Sequence, residues 1–227
     1  VHAHAAHPQW AMAAALVVTQ LRAQLSSPPH NKTADEDIAL GFVYFTDAYA
    51  AHANDLLRYL HTELPFVQRW VGSVGIGILA TGVEYMDEPA MAIMLCDIPT
   101  EQVQVFSGVS PLAPSGDAAL GWPVQSAWVH CDGAVPDLSA LVEELAQRTV
   151  HNVVFGGISS SRNEAVQIAY EDSRHLGLDR PKGGVLLGGL SGLAFGPEAR
   201  VRSRVTQGCR PVGPARSVRS EEHTSEL

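Results

Sequence analysis

One order of elements is written twice along this chain, and it limits the folds available. Ile38 to Phe45 is an apolar run too short and too rich in β-branched and aromatic residues for a helix, so it reads as a buried strand. Asp47 follows as a candidate helix cap. Ala53, Leu56, Leu57, Leu60 and Leu64 then make one helical stripe, which Pro65 stops. Trp70 to Ile78 is a second strand with glycines at its end. The same succession returns further on. Ala127 to His130 reads as a strand, Asp137 as a cap, Leu138, Leu141, Val142 and Leu145 as one helix face, and Asn152 to Phe155 as a strand that runs into Gly156 and Gly157. Aligning Trp70-Val71-Gly72-Ser73 with Val154-Phe155-Gly156-Gly157 suggests an internal duplication, residues 38–107 and 125–214, separated by a loop rich in Pro, Gly and Ser from Gly108 to Pro123. Two such units need a common core. The expected class is α/β (α+β), two strand-helix-strand-strand units forming a sheet sandwich with helices on the outside.

Further strands are expected at Ala90 to Cys96, Val103 to Phe106, Gly184 to Leu187, Leu190 to Phe195 and Val201 to Val205. Before the first unit, Trp10, Ala13, Ala14, Val17, Leu21 and Leu25 recur at helical spacing, and Pro28-Pro29 ends that helix.

Composition narrows the function. With 46% hydrophobic and 17% charged residues, the 227-residue chain can bury a core. A formal charge of -9 without a run of Lys or Arg argues against nucleic acid and against anionic membrane surfaces as partners. A small-molecule ligand fits better. Three cysteines with no C-x-x-C spacing signal neither a disulfide framework nor a structural zinc, which suits a reducing cytoplasm. The apolar run from Trp10 to Val18 is too short to span a bilayer, and no basic segment precedes it.

Gly75 to Ala80 spells G-x-G-x-x-A, the pattern of a dinucleotide loop. That fingerprint must open a helix, whereas Thr81 to Tyr85 continues with no cap and no helical stripe, so the glycines read as a strand end and a turn. No cofactor is expected. His2, His4 and His7 lack companions at metal-ligand spacing and read as a surface terminus, so no metal is expected either.

Two readings stay open for the strand-end glycines. Gly72, Gly75, Gly77, Gly156 and Gly157 can serve tight strand packing or positive φ alone. Alternatively, Gly72 and Ser73 face Gly156, Gly157, Ser159, Ser160, Ser161 and Arg162, whose amides, hydroxyls and guanidinium could hold a carboxylate. Among the thiols, Cys96 reads as core and Cys131 as unable to meet His130, its strand neighbour on the opposite face. Cys209 lies in a turn-rich segment beside Arg210, which would favour a thiolate, so a thiol-dependent or hydrolytic enzyme is the alternative to a binding module.

The segments WVGSVGIGILATGVEYMDEPAMAIMLCDIP, VVFGGISSS, GGLSGLAFG and VTQGCRPVGP, in that order, resemble the N-terminal domain of the FIST family, over about Ile38 to Pro214. The most specific string holds Gln207, Gly208, Cys209, Arg210 and Pro211, whose role the resemblance leaves open. It implies a non-catalytic intracellular sensory domain for a small metabolite such as an amino acid, with a C-terminal FIST domain or a signalling output domain as partner. Residues 219–227, RSEEHTSEL, resemble the translation of a sequencing-adapter oligonucleotide, and are expected to stand outside the domain in place of its C-terminal companion.

Overall fold

Each leucine-striped helix that follows a buried strand turns out to bridge two parallel strands, the connection a parallel pair requires. The structure, a computed structural model, describes residues 1–27, 40–114, 121–172, 181–204, 208 and 212–214. Its elements in chain order are β1 (His2–Ala6), α1 (Trp10–Leu25), β2 (Leu40–Thr46), a 3-10 segment (Asp47–His52), α2 (Ala53–Glu63), β3 (Arg69–Gly75), β4 (Gly77–Ala80), β5 (Val83–Met86) and β6 (Ala90–Cys96). After a 3-10 turn come β7 (Val103–Ser107), β8 (Ser126–Asp132), α3 (Leu138–Gln147), β9 (Val154–Ser159), β10 (Val166–Glu171), β11 (Lys182–Leu187) and β12 (Leu190–Phe195).

The strands make a six-stranded sheet, β1-β6-β2-β3-β10-β11, a four-stranded sheet, β7-β12-β8-β9, and a separate hairpin, β4-β5. Strands β2 and β3 run parallel across α2, as β8 and β9 do across α3. On the other side of each pair, β6 returns antiparallel to β2 and β12 antiparallel to β8, with β1 and β7 as their outer neighbours.

Three apolar layers hold four structural layers together, a sheet sandwich with helices outside. Beneath α1 and α2, Val17, Leu21, Leu56 and Leu60 pack on Phe45, Trp70, Ile93 and Ile168 of the larger sheet. Burying each leucine there contributes about 1.5–3 kcal/mol. Between the sheets lie Leu40, Phe42, Val71, Val103, Leu193 and Phe195. The outer face of the smaller sheet meets α3 and the segments around Leu112 and Val124, through Phe106, Ala127, Val129 and Leu145.

Two glycines set the fit within the parallel pairs. Gly72 lies opposite Val43 and Gly156 opposite Val129. A Cβ on Gly72 would stand 1.8 Å from the Val43 carbonyl oxygen, and one on Gly156 would stand 1.9 Å from that of Val129. Gly156 also adopts φ +145°, a conformation closed to L side chains. At these two positions the packing reading accounts for the glycine.

Several expectations change. Asp47 and Asp137 make no side-chain cap bond: Asp47 begins the 3-10 segment, and Asp137 sits in a left-handed conformation. Gly156 and Gly157 are interior to β9 rather than at its end. Residues 201–204 form no strand, while β10, not foreseen, pairs with β3. The histidine-bearing terminus is a sheet strand, with His4 Nδ1 2.6 Å from the Tyr85 hydroxyl. The strand expected to run to Ile78 ends at Gly75, and Gly77–Ala80 is a separate hairpin strand paired with β5 rather than a turn; no helix opens there.

Because backbone blocks the added methyl at Gly156 and strain accompanies it, Gly156→Ala should cost at least about 3 kcal/mol in urea unfolding. Gly157→Ala, whose Cβ would enter open space, should stay within about 0.5 kcal/mol of the parent. Equal losses at both positions would contradict the packing described.

Candidate functional site

The space between the sheets changes character along the strands. Where the parallel strands begin it is filled by Leu40, Phe42, Val71 and Phe195, and towards their carboxyl ends it turns polar. There the Tyr44 hydroxyl of β2 meets His130 Nε2 of β8 at 2.9 Å. The Ser73 and Ser159 hydroxyls of β3 and β9 are 2.5 Å apart. Deeper in, Ser191 donates to Gln167 Oε1 at 2.5 Å, both residues being fully buried. Carboxyl ends of parallel strands are where open α/β sheets hold ligands, since backbone groups and loops converge there.

A cleft of about 780 Å³ opens onto this layer between β4 and β9. Its walls include Tyr44, Trp128, His130 and Phe155, together with Arg202 and Arg204. Of the residues singled out from sequence, Ser73, Gly156, Gly157, Ser159 and Ser160 line it, and Ser160 Oγ also accepts a hydrogen bond from the Ile76 amide at 3.3 Å. Gly72 is packed inside the sheet. The Ser161 hydroxyl turns to the Asn163 amide. Arg162 is held outside the cleft by Asp47, 3.3 Å away, and by Asp87. Its charge is therefore spent on tying the β9–β10 connection to the 3-10 segment and the β5–β6 turn.

The cationic groups on the cleft are instead Arg202 and Arg204, on a segment expected to be a strand. Tyr44 and His130 were also missed, although a signal exists. Phe42-Val43-Tyr44 and Trp128-Val129-His130 share an aromatic-Val-aromatic pattern and hold the same register, Tyr44 opposite Ser73 and His130 opposite Gly157.

Electrostatics keep the floor neutral. Burial pushes the Tyr44 hydroxyl well above its ordinary range and His130 down to about 4. The Trp128 indole N–H, which can only donate, points at His130 Nε2 from 3.3 Å, the nitrogen that the Tyr44 hydroxyl also meets. Burial also raises the Cys96 and Cys131 thiols, which disfavours a thiolate at either. In the string singled out by resemblance, Gly208 is exposed, while Gln207, Cys209, Arg210 and Pro211 lie outside the described residues. Among the described residues no helix is long and apolar enough to cross a membrane.

His130 makes a pH test possible. An unfolded histidine takes up its proton near pH 6.5, whereas the folded one stays neutral until about pH 4. The unfolded state therefore binds more protons in that window. Stability is complete above about pH 6.5 and falls as the pH drops towards 4, by up to roughly 3 kcal/mol. Chemical unfolding from pH 7 to 4 should show this loss in the parent and a flatter profile in His130→Gln; matching slopes would place the acid sensitivity elsewhere.

Comparison with known proteins agrees with the order of motifs along the chain. The FIST N domain matches residues 39–224, most of the sequence and every element from β2 to β12. No curated protein matches the chain. The FIST N domain is a signal-transduction sensory type rather than a known catalytic one, and this chain belongs to that family.

Proposed function

We propose that this is an intracellular sensory domain that binds a small carboxylate-bearing metabolite, of the amino-acid kind, in the cleft between β4 and β9. The observation that carries the reading is that Ser73, Ser159, Ser160, Arg202 and Arg204 line one cleft together with the aromatic residues Tyr44, Trp128 and Phe155. Hydroxyls and arginines satisfy a carboxylate, and an aromatic floor strengthens those contacts by lowering the local dielectric. The cleft lies between elements from both halves of the chain, β4 with Ser73 on one side and β9 on the other. A ligand bridging them would favour one spacing of the two, and such differential affinity is what a sensor needs. In the whole protein a C-terminal FIST domain or a signalling output domain would read that change.

Calorimetric titration with the amino acids and simple carboxylates tests this. A saturable heat is expected from the parent. Arg202→Ala with Arg204→Ala should weaken binding by about tenfold or more, the effect of losing a charge-assisted hydrogen bond. Arg162→Ala should leave the affinity unchanged, because that side chain is engaged with Asp47 and Asp87. Binding that depends on Arg162 and ignores Arg202 and Arg204 would move the site away from this cleft.

A further inference from the structure

The larger sheet continues past β3 to β10 and β11, whereas among the described residues the smaller sheet stops at β9. Yet β3 and β9 hold the same place in their sheets. Each follows a crossover helix, runs parallel to the preceding strand, and sets a glycine, Gly72 or Gly156, against a valine carbonyl. We infer that the ligand of the cleft is a short extended peptide with a free C-terminal carboxylate, which adds to β9 as the strand the smaller sheet lacks. This rests on the reading of the cleft as a ligand site and names the class of its occupant.

The outer side of β9 is built to pair. The Ala127 amide donates to the Val153 carbonyl, and the parallel register continues from there to Asp132 opposite Ser159. That ladder turns Phe155, Gly157 and Ser159 towards β8, and leaves the N–H and C=O groups of Val154, Gly156 and Ile158 facing outward. Among the described residues no strand takes them. Sheet edges are ordinarily guarded by charge, proline or a bulge, and Val154–Ser159 has none of these, with Ile158 63% exposed.

Both faces of this edge are hollow. The cleft of about 780 Å³ lies on the inter-sheet side, and a second hollow of about 600 Å³ lies under α3, lined by Leu138, Val142 and Ala146. Residues Val154 to Gly157 and Ile158 border both. A single amino acid reaches only one of the two. Side chains of an extended peptide alternate between faces and so enter both.

The larger sheet shows the fit. Strand β10 lies antiparallel to β3 with Ile168 opposite Gly72, and Ile168 goes into the helix-side core while its neighbour Ala169 goes between the sheets. A peptide placed likewise on β9 sets an aliphatic side chain over Gly156 towards Leu138 and Val142, and the next one towards Tyr44 and Trp128. Its antiparallel direction brings the C-terminus to the Val154 end. Val201 packs on the apolar cluster between the sheets, and Arg202 and Arg204, next along the chain, line the cleft. Arg202 and Arg204 thus line the same cleft as the outer edge of β9, and supply the positive charge that a peptide carboxylate needs there.

The test uses the chain's own solution to the equivalent edge, the pentapeptide Val-Gln-Ile-Ala-Tyr of residues 166–170, titrated into the full chain as free acid and as C-terminal amide. The free acid should bind saturably and the amide at least about tenfold more weakly. That difference should vanish in the Arg202→Ala, Arg204→Ala double variant. Ile158→Pro, which removes one outward N–H, should abolish binding of both peptides with the circular dichroism unchanged. Peptides methylated on alternate backbone nitrogens test pairing with the protein intact: one phase should lose binding and the other keep it. Binding of single amino acids without binding of the peptide overturns the inference and leaves the small-ligand site standing, while no binding by either removes both. Peptide binding indifferent to methylation phase, or sedimentation showing a dimer that Ile158→Pro dissolves, also overturns it, the latter by making a second copy the occupant.

Discussion

The two sheets meet face to face through side chains at corresponding positions, and the architecture depends on that contact. Phe42 packs on Trp128 with ring centroids 5.2 Å apart, and two residues further along Tyr44 bonds to His130. In each sheet these positions sit on the first strand of the parallel pair, so the contact fixes how the parallel pairs oppose one another. An aromatic pair of this kind adds about 0.5–1.5 kcal/mol beyond the burial of its area. The polar pair adds direction, because buried neutral groups must satisfy each other or incur desolvation costs. Phe155, stacked on Phe195 and set edge-on to Trp128, extends the aromatic layer to the edge of the smaller sheet.

From that shared interface the halves diverge in what covers them. Helix α2 buries Ala53, Leu56, Leu57 and Leu60, since α1 packs along one side and β11 lies beneath the other. Helix α3 buries only Leu145 and leaves Leu141 exposed. Among the described residues its sheet has neither a companion helix nor strands beyond β9. Connections of the same order therefore end in unequal surfaces, one closed and one open. The open one borders the polar ends of the parallel strands, so among the described residues the two hollows and the unpaired edge of β9 adjoin. This coincidence gives the cleft its chemistry.

Much of this was legible in the residues. The leucine stripe of α2 and the apolar runs of β2, β6 and β12 are periodic enough to read directly, and the repeated strand-helix-strand order leads to the sandwich. Strand β10 escaped because Gln167 interrupts its apolar residues; only the structure shows that Gln167 is buried against Ser191. The serines of β9 could be found as a cluster of hydroxyls. Arg162 was adjacent to them in sequence, but its direction is fixed by Asp47 and Asp87, far away along the chain. Tyr44, His130, Arg202 and Arg204 are joined only by the folding of distant segments, which no local pattern announces.

Among the described residues the outer edge of β9 is unpaired while its inner edge is bonded, and amide hydrogen exchange of the ligand-free protein reads this residue by residue. The amides of Phe155, Gly157 and Ser159 should exchange slowly and those of Val154, Gly156 and Ile158 fast, a two-residue alternation. Uniform protection along the strand would mean that the edge is already covered, and would contradict the account.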